Sequence, residues 1–147
     1  MAGRELVVID SSVAVKWFSE EELTREALSI MGHHVKGDAT LLTTPLLACE
    51  LANALRHKPD YDQNKLREAM THYYNLHIEE APIDFRLLSR AGEIAFKGGV
   101  TIYDAIPAAL AEIRETSWIT ADETQYSRLK EIRADRIMFL GRDQALS

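Results

Sequence analysis

Leu6-Val7-Val8-Ile9-Asp10-Ser11-Ser12 runs from four consecutive apolar residues straight into a carboxylate and two hydroxyls. A short apolar run rich in β-branched residues, with no polar alternation, reads as a strand buried on both faces, the habit of parallel sheets. Asp10 then stands at the carboxyl end of that strand, the edge on which open α/β sheets bind ligands. Trp118-Ile119-Thr120 and Ile137-Met138-Phe139-Leu140 repeat the pattern, and Thr40-Leu41-Leu42-Thr43 is a weaker fourth. Between these runs the apolar period lengthens to that of amphipathic helices: Leu47, Leu51, Ala54 and Leu55; Leu66, Ala69, Met70 and Tyr73; Phe85, Leu88, Ala91, Gly92 and Ala95; Ile106, Ala109, Leu110 and Ile113. Thr44-Pro45 offers an N-cap with proline at the first helical position, and Gly98-Gly99 offers a stop. Strands alternating with helices over short linkers, without repeats, predict an α/β fold: a three-layer α/β/α sandwich around a mainly parallel central sheet.

A length of 147 residues at 46% hydrophobic suits one domain spanning 1–147 with a proper core. The single cysteine, Cys49, closes no intrachain disulfide and stands apart from any metal-ligand partners, which fits a reducing compartment. The stretch before Asp10 is too short for a signal-peptide core or a membrane span, so a cytoplasmic protein is expected. The formal charge of -6 argues against a protein that coats nucleic acid by bulk charge. It leaves a nuclease possible, because four acids neutralised by cations would bring the remaining surface to only about -2.

Four acids stand out. Asp10 follows the first strand, where a helix N-cap is the competing explanation. Glu50 lies three residues after Leu47 and four before Ala54, beside the apolar stripe of its helix, where a carboxylate is costly unless paired or metal-bound. Its ordinary alternative is a salt bridge to a group such as Arg56, and Asn53, one helical step on, could orient it or touch RNA. Asp104 sits in Thr101-Ile102-Tyr103-Asp104-Ala105-Ile106-Pro107. Pro107 is expected in a first helical turn, so that either Thr101 caps with Asp104 in the capping-box position or Asp104 is itself the cap. Asp122 follows Trp118-Ile119-Thr120 and opens the next helix, with capping again open. Thr120 is a candidate hydroxyl beside the site. Two carboxylates about 4 Å apart repel by about 4 kcal/mol at an effective dielectric of 20, so four together call for a cation or shared protons. Hard oxygen donors without paired cysteines or histidines favour Mg²⁺ or Mn²⁺ over zinc. The five histidines show no pairing of their own and are read as surface or structural residues.

The ordered set Asp10-Ser11-Ser12-Val13, Glu50-x-x-Asn53-Ala54-Leu55, Tyr103-Asp104-Ala105 and Thr120-Ala121-Asp122 resembles PIN-domain ribonucleases, and most closely the VapC-like toxins of toxin-antitoxin systems. The resemblance spans Ile9 to Asp122. It implies a cation-dependent endoribonuclease, frequent homodimers and inhibition by a cognate antitoxin. Carried over by position, Asp10, Glu50, Asp104 and Asp122 match the family's metal-binding acids, and Ser12 and Thr120 its hydroxyl positions. The implied chemistry is attack of an activated water on phosphorus, leaving a 5′-phosphate and a 3′-hydroxyl. Pro107, where an ordinary helix former is expected, departs from the pattern.

Two other functions compete. A receiver-like phosphoacceptor domain also sets acids at a parallel sheet's edge, but Ile137-Met138-Phe139-Leu140-Gly141 ends without the Lys it requires. A catalytically inactive PIN-like module would hold RNA or protein without cutting. Lys16, Arg56 and Lys97 are candidate RNA contacts, and Leu66, Met70, Tyr73, Tyr74 and His77 a candidate dimer face.

Overall fold

A computed structural model describes residues 5–133 and 136–142; Met1 to Arg4, the first part of the stretch before Asp10 considered above, lie outside them. In chain order the elements are β1 (Glu5–Ile9), α1 (Ser11–Ala14), a 3-10 turn (Val15–Trp17), α2 (Thr24–Lys36), β2 (Ala39–Thr43), α3 (Pro45–Arg56), α4 (Gln63–Asn75) and β3 (Glu79–Glu80). Then follow α5 (Phe85–Gly98), α6 (Ile102–Ile113), β4 (Ser117–Thr120), α7 (Glu123–Arg133) and β5 (Ile137–Phe139). The strands form one sheet in the order β3-β2-β1-β4-β5, each neighbouring pair parallel. The expected three-layer sandwich is therefore present, with a sheet that is parallel throughout.

Successive residues of a strand point to opposite faces, and the two cores follow that alternation. Val7, Ile9, Leu41 and Ile119 pack with α1 to α4 on one side, while Val8, Leu42, Trp118, Ile137 and Phe139 pack with α5 to α7 on the other. Both faces are covered, which is why the central strands carry no polar alternation. The runs and stripes read from the sequence leave two elements unplaced: α2, although Ala27 and Ile30 recur at helical spacing and are buried, and the two-residue edge strand β3.

Local signals set the helix ends. Asp10, Asp62 and Asp84 accept backbone N–H bonds at the starts of α1, α4 and α5. Pro45 opens α3 after Thr44, and Gly99, at φ 66°, closes α5 in the left-handed conformation that glycine tolerates best. Thr101 caps α6 by accepting the Asp104 N–H at 3.0 Å, which decides between the two alternatives at this helix.

Three expectations are corrected. Pro107 lies in the second turn of α6, not the first, so the Tyr103 carbonyl lacks the N–H that a residue four places on would supply. The α5 residues expected on one stripe belong to two faces: Ala91 and Ala95 point inward with Leu87 and Ile94, which the stripe left out, while Phe85 and Leu88 are exposed on the other side with Phe96. The candidate dimer face on α4 is largely core, since Tyr73 is 2% exposed and Leu66 and Met70 pack against the same cluster. Cys49 is exposed on α3, and among the described residues no helix is long and apolar enough to cross a membrane.

Candidate active site

In an all-parallel sheet every strand ends on the same edge, and helices that connect parallel strands run back against them, so they begin at that edge. This topology brings distant acids together. Asp10 follows β1 and Asp122 follows β4, and the two strands are neighbours, with Ile9 opposite Ile119. Glu50 lies in the second turn of α3, which starts at the end of β2, and Asp104 lies in the first turn of α6. All four line one cavity of about 50 Å³ together with Ser11, Ser12, Tyr103, Pro107 and Gln125. That volume suits an ion with a few waters rather than a nucleotide.

Asp10 is the best-held of the four. Its Oδ1 accepts from the Ser12 N–H at 3.0 Å and from the Ser12 hydroxyl, and its Oδ2 accepts from Thr120 Oγ1 at 2.7 Å and Trp118 Nε1 at 3.1 Å. The two hydroxyls are themselves aimed by the loop after β4: Ala121 N–H donates to Ser12 Oγ at 2.8 Å, and Asp122 N–H donates to Thr120 Oγ1 at 3.1 Å. Ser12 and Thr120 therefore couple Asp10 to the backbone that carries Asp122. Burial pushes the Asp10 carboxyl above its usual range, and the donors from Ser12, Thr120 and Trp118 oppose that rise.

Glu50 has no such support. It flanks the buried Leu47 and Leu51 and faces Asp10 and Asp104, with only Ser11 as a hydrogen-bond partner. Burial, followed by repulsion from Asp10 and Asp104, pushes its pKa up from 4.5 to about 7. The expected alternative of an Arg56 salt bridge does not appear: Arg56 lines a different cavity with Tyr61 and Asp62. Asp122 Oδ1 accepts the Gln125 N–H at 3.0 Å, so it caps α7 while lining the cavity, and Asp104 Oδ2 accepts from Gln125 Nε2 at 2.7 Å.

The sequence-chosen residues divide clearly. Asp10, Ser12, Glu50, Asp104 and Asp122 converge, and Thr120 supports them from full burial. Asn53 does not join them; it is exposed on α3, outside the cavity lining. Of the basic candidates, Lys16 is paired with Glu21 at 3.1 Å. Gln125 and Tyr103 were missed, since nothing in a single sequence marks a glutamine in a polar helix or a tyrosine beside an acid.

The donor set fits a hard divalent cation: four carboxylates line the cavity and no lysine or arginine does. The side chains are not already arranged as a chelate, because among the described residues no three of His, Cys, Asp and Glu stand close enough to ligate one ion together. Cation binding at this site would require carboxylate rotation. A larger cleft of about 770 Å³ lies elsewhere, along α5 and the end of α6. It makes a poorer active site, since Arg90 there is already neutralised by Glu93 and Glu112.

A family model described as PIN domain matches residues 7–132. The fold is similar to that of PAE2754 from Pyrobaculum aerophilum, with a TM-score of 0.63 and 18% identity, covering 95% of this chain and 92% of that one. It is also similar to FitAcB from Neisseria gonorrhoeae, with a TM-score of 0.64 and 12% identity, covering 92% of this chain and 96% of that one. No curated protein matches the sequence.

Proposed function

This chain belongs to the PIN-domain family, and from that membership we propose that it is a Mg²⁺- or Mn²⁺-dependent endoribonuclease, the toxin of a toxin-antitoxin pair. The observation that carries the reading is the cavity in which Asp10, Glu50, Asp104 and Asp122 meet without a single basic residue among its lining. PIN domains are generally nucleases, and such an anionic pocket repels a phosphodiester until a cation reverses its field.

The bound cation would supply Lewis acidity toward the phosphate and toward a water. The protein's part is placement. Ser12, Thr120 and Trp118 hold Asp10 in one orientation, and the cap on α7 fixes Asp122. Glu50 and Asp104 close the pocket from the opposite helices, α3 and α6. Tyr103 lines the cavity yet is 63% exposed, which offers a ring face to an unstacked base next to the phosphate and favours single-stranded RNA as substrate.

A homodimer and an inhibitory antitoxin complete the proposal. The dimer face is assigned to α5 in place of α4. Phe85, Leu88, Gly92 and Phe96 recur at helical spacing on its outward side, with Phe85 and Phe96 86% and 91% exposed. Packed antiparallel on a second copy about a two-fold axis, this face sets Phe85 against Phe96 and Leu88 against the gap at Gly92, so the face is self-complementary. The antitoxin is expected to present an arginine to the carboxylates, since a guanidinium pairs with them bidentately.

The test is incubation of purified protein with cellular RNA in Mn²⁺ and in EDTA, followed by sequencing of product ends. New 5′-phosphate ends that require Mn²⁺ and vanish in Asp122→Asn are the expected result. Binding of RNA without any cleavage in Mg²⁺ or Mn²⁺ would replace this reading with that of an inactive RNA-binding module.

A further inference from the structure

We propose that Gln125 is an uncharged positioning residue of the cation site, whose side-chain N–H fixes Asp104 while its backbone N–H holds Asp122. This rests on the cation-dependent reading above and deepens it.

Gln125 ties together two acids from different elements. Its backbone N–H donates to Asp122 Oδ1 at 3.0 Å, and its side-chain Nε2 donates to Asp104 Oδ2 at 2.7 Å. The second bond settles the amide's orientation, because only the NH₂ group can face a carboxylate. Oε1 is then held by the planar amide about 2.3 Å from Nε2, hence at most about 5 Å from Asp104 Oδ2.

Oε1 is buried and accepts no hydrogen bond among the described residues. Buried acceptors seldom go unpaired, so this one asks for a donor. The two serines of the cavity wall do not supply it. The Ser12 hydroxyl donates to Asp10, Ser11 is engaged with Glu50, and no lysine or arginine lines the space. The amide is thus held by its Nε2 bond to Asp104 although its acceptor is left unpaired, which marks it as a positioning group. Gln125 stands at the capping-box position of α7, but its side chain does not reach back to the Asp122 N–H, which donates to Thr120 Oγ1, and turns to Asp104 instead. Gln125 lies one turn before the fully buried Leu129 and beside the buried Tyr126, so leucine would continue the inward stripe of α7.

The experiment measures melting temperature in EDTA and through a Mn²⁺ titration for wild type, Gln125→Leu and Gln125→Glu. Gln125→Leu is expected to melt within a few degrees of wild type in EDTA while its Mn²⁺ dissociation constant rises about ten-fold or more, as for other groups that orient metal ligands. Gln125→Glu turns the donor facing Asp104 into a second carboxylate oxygen. It is expected to melt below wild type in EDTA and to recover in saturating Mn²⁺, widening the gap between the two conditions. Should Gln125→Leu fail to fold, that gap decides alone. If both variants shift equally in EDTA and Mn²⁺, with affinity within about two-fold of wild type, Gln125 is only a packing residue and the inference is overturned by itself. A wild type with no Mn²⁺ response overturns the cation reading and this inference together.

Discussion

Replacing Glu50 by glutamine removes the one of the four site carboxylates whose hydrogen-bond partner, among the described residues, is Ser11 alone. Its pKa rises from 4.5 to about 7 through burial and then through repulsion by Asp10 and Asp104. At about 1.4 kcal/mol per pH unit that rise corresponds to about 3.5 kcal/mol against the ionised form. Glu50 is only partly buried, and solvent screening reduces the figure to roughly 1.5 kcal/mol. The sign follows from proton linkage. Below pH 4.5 the group is protonated in both states; between 4.5 and about 7 the folded state keeps a proton that the unfolded state has lost, so metal-free stability falls as pH rises. Glutamine carries no charge to repel. In EDTA at pH 8 the Glu50→Gln protein should therefore melt about 3–6 °C above wild type, given about 2–4 °C per kcal/mol for a chain of this size. Near pH 4.5 the difference should vanish. Mn²⁺ should reverse the order, because wild type gains about 2.7 kcal/mol at a hundredfold excess over Kd and the variant gains less. Differential scanning fluorimetry at the two pH values, with and without metal, reads all four conditions. A variant that melts lower than wild type by the same amount at both pH values would show that Glu50 makes an ordinary favourable contact, and the picture of a repulsive anionic site would be refuted.

Asp10→Asn should act in the opposite direction: an amide can accept on one side only, so either Trp118 Nε1 or the Ser12 N–H loses its acceptor, at a cost of about 1–3 kcal/mol. A metal-free melting temperature equal to that of wild type would contradict the four-donor arrangement. Asp122→Asn should keep the α7 cap, because asparagine caps about as well as aspartate, and hold the EDTA melting temperature within about 2 °C while losing Mn²⁺-dependent RNA cleavage. Retained cleavage would remove Asp122 from the site. Phe96→Glu should convert a dimer to a monomer in light scattering at micromolar concentration without loss of fold, since the side chain is 91% exposed. A wild type that is already monomeric would refute the α5 interface.

The sheet was legible because burial on both faces writes itself into sequence as unbroken apolar runs: β1, β2, β4 and β5 fall where the runs at Leu6, Thr40, Trp118 and Ile137 place them. The carboxyl-edge rule puts Asp10 and Asp122 on one edge of the sheet, and the pairing of β1 with β4, which the sequence does not reveal, makes them neighbours. The edge strand β3 was not legible, because Glu79 and Glu80 pair through backbone groups and expose both side chains. The two faces of α5 merged for a related reason. Apolar residues on an outward face follow the same helical period as those on the core, so periodicity cannot tell a core from an interface. Asn53 shows the limit at the site itself: a helical step from Glu50 guarantees proximity along α3 but not that both side chains reach the same cavity.

Capping and ligation, which compete as explanations of Asp10 and Asp122 in the sequence, are compatible in the structure, and lone-pair arithmetic says how far. A carboxylate offers about four acceptor positions. Asp122 spends Oδ1 on its cap, and Asp104 spends Oδ2 on Gln125, so each keeps a second oxygen for an incoming ion. Asp10 accepts four hydrogen bonds, two of them from hydroxyls. The backbone N–H and the indole N–H are fixed donors, whereas the hydroxyls of Ser12 and Thr120 can rotate. A cation approaching Asp10 must therefore displace one of those two hydroxyl hydrogens, and the displaced hydrogen still lies in hydrogen-bonding range of the other hydroxyl, since Ser12 Oγ and Thr120 Oγ1 stand 3.3 Å apart. On the proposed cation reading, the pair would let a buried carboxylate stay satisfied both with and without an ion, which further carboxylates around Asp10 would not.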